Sequence, residues 1–112
     1  MLYKSLYSNI DGVSNVANGY MAMYSNTSGS YNTANGLQAL YSNTTGSGNT
    51  VNGFAAMYFN NGDSNTATGY KALFSNTAGT GNTANGFRAL HCNTDGIINT
   101  ATGYFSMYRN PN

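Results

Sequence analysis

The chain has 112 residues, of which only 6% are charged, with a net charge of +1 and a single cysteine. Its basic residues Lys4, Lys71, Arg88 and Arg109 are spread along the sequence, so composition supplies no Lys/Arg stripe for a phosphate backbone, and nucleic acid is not an expected partner. No apolar run approaches the roughly 18 residues that read as a membrane span, and one cysteine rules out an intrachain disulfide.

Read in chain order, the first segment is "YKSLYSN" (3–9). It is the first case of a phrase that closes at Asn9, Asn26, Asn43, Asn60, Asn76, Asn93 and Asn110. Because "MLYKSLYSN" already follows this phrase, it does not read as a signal peptide. The second phrase, Asn-x-[Ala/Val]-[Asn/Thr]-Gly, begins at Asn15, Asn32, Asn49, Asn65, Asn82 and Asn99, in steps of 17, 17, 16, 17 and 17 residues. The short step falls where "NNGDSN" (60–65) replaces "NTTGSGN" (43–49). Units this short cannot each enclose a core, so they must stack. The expected fold is all-β: a β-solenoid or parallel β-roll of about six 17-residue coils, forming one tandem-repeat domain over 1–112. The richness in Asn, Thr, Ser, Gly and Tyr resembles disordered low-complexity sequence, but the strict phase of a Leu/Met column argues for order.

Within one coil, Asn-Gly and Thr-Gly pairs mark corners, since Gly accepts positive φ and Asn tolerates it. "NTAN" is too short for a helix and suits a strand of about four residues. Its inward member is expected to be Ala34, Val51, Ala67, Ala84 or Ala101. "YKALFSN" (70–76) has two readings. As a second strand, which is preferred, Tyr70, Ala72 and Phe74 share one face. As one helical turn, Tyr70, Leu73 and Phe74 gather.

Stacking at about 4.8 Å sets like residues above like. Leu6, Met23, Leu40, Met57, Leu73, Leu90 and Met107 form the expected core ladder. Tyr20, Phe54, Tyr70, Phe87 and Tyr104 form an aromatic ladder, and Tyr24, Tyr41, Tyr58, Phe74, His91 and Tyr108 form another. The Asn columns can pass amide hydrogen bonds from coil to coil. Both ends break the repeat in the same phase, without a segment that reads as a cap. The expectation is either a slice of a longer fibre or ends covered by other copies.

Catalytic chemistry needs convergent titratable groups, whereas Asp11, Asp63 and Asp95 each neighbour glycine in turn-like settings. His91 stands in the Tyr column and Cys92 in a Ser column, so both read as ladder substitutes. The "GTGNTA" and "GSGNTV" stretches imitate a nucleotide-binding loop only because the repeat recurs. The chain therefore reads as non-enzymatic, with no cofactor, metal or catalytic residue expected. Asn26-Thr27-Ser28 and Asn43-Thr44-Thr45 match the glycosylation acceptor pattern, as any Asn/Thr-rich repeat will.

"NTATGYKALFSNTAGTGNTANG" (65–86) resembles the repeat arrays of bacteriophage and bacterial tail-fibre-like proteins. More distantly it resembles the head repeats of trimeric autotransporter adhesins, whose Asn-Ser-Val-Ala-x-Gly unit parallels "NTATG". The resemblance covers 3–110 and implies a parallel β-roll in which three chains pack side by side, with a surface, adhesive or structural role. It departs in its longer period and heavier aromatic columns, and it carries over no catalytic residues. The leading functional expectation is a self-associating structural or adhesive fibre segment at an extracellular, virion or cell surface. Such a segment would be a homotrimer, a head-to-tail filament or both, with cell-surface glycan as a candidate partner and exposed Tyr as the sugar-stacking group. The alternatives are a lectin-like module and ice binding. For the latter, Thr33/Asn35, Thr50/Asn52, Thr66/Thr68, Thr83/Asn85 and Thr100/Thr102 would form two ranks that resemble the Thr-x-Thr arrays of β-solenoid antifreeze proteins.

Overall fold

The computed structural model describes residues 3–110. It is a parallel β-solenoid with principal extents of 34 × 23 × 16 Å. Each coil contributes one three-residue strand: β1 (Val16–Asn18), β2 (Thr33–Asn35), β3 (Thr50–Asn52), β4 (Thr66–Thr68), β5 (Thr83–Asn85) and β6 (Thr100–Thr102). The six strands form one parallel sheet in sequence order. The register sets Thr33 beside Thr50, Thr66, Thr83 and Thr100. The shortened turn at 60–65 leaves that register intact, because the residue is lost from a corner and not from the strand.

The middle residue of each strand points inward by simple alternation, and Ala34, Val51, Ala67 and Ala84 are fully buried. Opposite them lie the adjacent pairs Ala22/Met23, Ala39/Leu40, Ala56/Met57, Ala72/Leu73 and Ala89/Leu90, all without solvent exposure. Alanine and one longer side chain per coil fill the narrow space between the walls.

The wall that carries those pairs is neither a second strand nor a helical turn. In "YKALFSN" two hydrogen-bonded turns follow one another, with Ala72 N–H donating to Gly69 C=O (3.3 Å) and Asn76 N–H to Leu73 C=O (3.2 Å). Lys71 (φ 53°) and Leu73 (φ 52°) occupy the left-handed region, as do their equivalents from Lys4 and Leu6 to Phe105 and Met107. Each left-handed residue costs about 1–2 kcal/mol locally. The cost is offset because these turns aim N–H groups along the rod axis. Lys71 N–H reaches down to Phe54 C=O (2.9 Å), while Leu73 N–H reaches up to Ala89 C=O (2.9 Å). Coil-to-coil bonding therefore continues around the turn wall, where strand alternation would have kept Ala72 and Leu73 on opposite faces.

Glycine is required where coils approach most closely. At Gly46 a Cβ would overlap Asn43 Oδ1 and the Gly62 carbonyl. At Gly36 (φ +128°) it would strike the backbone of Gly53, a conformation and a spacing that only Gly accepts.

Candidate functional site

Two columns of asparagine carry the interior polar bonding. In the first, Asn26, Asn43, Asn60, Asn76, Asn93 and Asn110 each donate from Nδ2 to Oδ1 of the equivalent residue one coil earlier, at 2.7–3.2 Å. The amides of Asn26, Asn43, Asn60, Asn76 and Asn93 also donate to a corner glycine carbonyl, as Asn76 does to Gly79 (2.8 Å). In the second column Oδ1 accepts the backbone N–H of the next coil's Asn, for example Asn82 N–H to Asn65 (2.8 Å). Its Nδ2 donates to the same class of glycine carbonyl, as Asn65 does to Gly79 (2.8 Å). Nine of these asparagines have no solvent exposure. A buried amide is costly unless paired, and stacking identical coils pairs each one. Asn26 and Asn43, the glycosylation-pattern residues, belong to this buried set.

The core ladder is less uniform. Met23, Leu40, Met57, Leu73 and Leu90 are fully buried, and Leu6 is partly so. Met107 is 42% exposed, a correction to its place in the expected core. It sits in the last described coil, where no further turn lies over it.

Two aromatic ladders run along the outside of the turn wall. One stacks Tyr7, Tyr24, Tyr41, Tyr58, Phe74, His91 and Tyr108 without a break, at centroid spacings of 4.8–5.4 Å. The other stacks Phe54, Tyr70, Phe87 and Tyr104 at 4.9–5.3 Å. Leu37 separates these from Tyr20, which stacks on Tyr3. Interplanar angles of 4–21° in the longer ladder mean that each ring covers its neighbour's face. Where a ring has stacked neighbours on both sides, only its edge and any phenol hydroxyl face outward, so sugars cannot stack on ring faces inside the ladders; Tyr104, which ends the shorter ladder, is 74% exposed.

Between and beside the ladders lie the cations. Lys4 sits over Tyr3 and Tyr7, and Lys71 over Tyr70 and Phe74. Arg88 sits over Tyr70, Phe87 and Phe105, and Arg109 over Tyr108. His91 is held below its ordinary pKa, first by burial between Phe74 and Tyr108 and then by the nearby charges of Arg88 and Lys71. Its Nδ1 lies 3.5 Å from Cys92 Sγ. Beside it, Cys92, Thr94, Arg109 and Asn110 line an open hollow of about 460 Å³. Among the described residues no three His, Cys, Asp or Glu side chains gather.

The sheet presents the third surface. Outward from each strand stand Thr33/Asn35, Thr50/Asn52, Thr66/Thr68, Thr83/Asn85 and Thr100/Thr102, in register. Part of the second rank is tied internally, with Asn18 Nδ2 donating to Asn35 Oδ1 (2.9 Å) and Asn35 Nδ2 to Asn52 Oδ1 (2.8 Å). The sequence reading missed the flanking of one cation column by two ring columns. The signal was present in the spacing of Tyr70, Lys71 and Phe74, and the turn geometry needed to interpret it was not.

Comparison of the chain with protein-family models, with curated proteins and with solved structures finds no match.

Proposed function

We propose that this chain is a non-enzymatic structural segment of a fibre at an extracellular, virion or cell surface, self-associating and adhesive through repetition. One observation carries the reading: the amide column from Asn26 to Asn110 bonds each coil to the one before it at every step, the shortened 60–65 corner included. A rod built this way holds identical surface groups at a fixed spacing, and contacts too weak to act alone then add by multivalency. Low charge favours association of copies, because little repulsion holds them apart. Light scattering over a wide concentration range tests the proposal. It expects a mass that is a multiple of the monomer or grows with concentration, and a constant monomeric mass would contradict it.

A second reading is favoured by one specific feature, the registered Thr/Asn ranks of the sheet face. Rows of hydroxyls and methyls on a rigid lattice can order water, and ice is the matching partner. The amide-to-amide bonds of Asn18, Asn35 and Asn52 weigh against it, since those groups are already satisfied within the protein.

A further inference from the structure

The charges of this protein are sorted by position around the coil. All four basic side chains lie over rings of the aromatic ladders. All three acids, Asp11, Asp63 and Asp95, lie in the corner loops between the Asn26-type column and the following strand. Lys71 and Arg88 share one column in successive coils, with Phe105 in its next place, while Arg109 stands beside the longer ladder in the column of Ser75 and Cys92. Arg88 Nε is screened from solvent without a hydrogen-bond partner. Because that nitrogen is closed to solvent, an incoming anion would meet the terminal guanidinium nitrogens, as a charge-assisted acceptor. Beside Arg88 stand the exposed side chains of Tyr70 and Tyr104.

We infer that the aromatic wall around Lys71, Arg88 and Arg109 binds an acidic polysaccharide, a sugar polymer bearing carboxylate or sulfate groups. The cations meet the acidic groups and the phenol hydroxyls meet the sugar hydroxyls. The rod lies along the polymer because an extended sugar chain advances by about one coil spacing per residue. The same wall disfavours single-stranded nucleic acid, whose sequence-tolerant binding depends on open aromatic faces for base stacking. Here the faces are closed by neighbouring rings 4.9–5.4 Å away. The inference extends the adhesive reading above by giving its partner a chemistry.

The test is binding of the full chain, by calorimetry at low and physiological salt, to dextran sulfate, polygalacturonate, neutral dextran and single-stranded DNA. Binding of either acidic sugar polymer, weakened by salt and absent with neutral dextran, supports the inference. The paired variant K71Q/R88Q should lower that affinity about tenfold. It should keep the fold, because Gln38 and Ala55 already occupy the same column. D63N, in the corner loop, should leave affinity unchanged. Failure to bind both acidic polymers, equal binding by K71Q/R88Q, or tighter binding of DNA would each overturn the inference. The mass of the particles is measured separately, so loss of binding from an assembled rod refutes the ligand and leaves the structural proposal standing.

Discussion

Replacing Asn76 separates hydrogen bonding from packing inside the rod. Its Nδ2 donates to Asn60 Oδ1 (2.7 Å) and Gly79 C=O (2.8 Å), and its Oδ1 accepts from Asn93 Nδ2 (2.7 Å) and, at 3.4 Å, from Asn82 Nδ2. Asn76→Ala removes three short bonds, each worth about 1 kcal/mol net, and strands one amide hydrogen of Asn93, so the expected loss is about 3–5 kcal/mol. Asn76→Asp keeps the shape but turns the donor into an acceptor aimed at two other acceptors, in a site with no cation. Asn93 and Asn82 still donate to Oδ1, but burial and the two acceptors that face the new oxygen raise the carboxyl's folded pKa, so N76D loses stability as pH rises above the unfolded value of about 3.9. At pH 7 the isosteric variant should therefore be less stable than N76A, and the order should narrow or reverse near pH 4. Denaturant titrations followed by circular dichroism at the two pH values measure both. If N76D equals or exceeds N76A at neutral pH, or N76A lies within about 0.5 kcal/mol of the parent, the ladder does not hold the coils as argued.

Three further outcomes are expected. Ile98 is a β-branched residue at φ 54° and 80% exposed, in a corner column where Gly48 and Gly81 also stand, so Ile98→Gly should stabilise by about 1 kcal/mol and raise the thermal midpoint by several degrees. The depressed pKa of His91 means that the unfolded chain binds the proton more readily, so stability should fall as pH drops below about 6.5 and level off below the folded pKa; His91→Phe should remove that slope in a melting series. For the ice reading, thermal hysteresis and faceted crystals at millimolar protein are expected, and they should vanish when Thr66 and Thr83 are replaced by Tyr; disc-shaped ice growth with the parent protein would dispose of it.

The strand wall and both amide columns were legible because they follow from arithmetic. A fixed phase places Asn above Asn, and alternation around Ala34 or Val51 sends the middle residue inward. The turn wall was not legible because Lys71, Leu73 and their equivalents are residue types with no preference for positive φ. What holds them there is bonding to neighbouring coils, such as Leu73 N–H to Ala89 C=O, which a single repeat read in isolation does not contain. Stacking of the aromatic columns followed from the same phase as the amide columns, and the rings do stack, while the exact ring tilt is not fixed by a column of Tyr and Phe.

The central proposal, a rod that serves by assembling, is tested most directly by negative-stain electron microscopy of the protein at concentrations where scattering is measured. Elongated particles are predicted, with widths that are small multiples of the 16–23 Å cross-section of one chain. Fields of separate compact particles no larger than a single chain, unchanged as concentration rises, would contradict it.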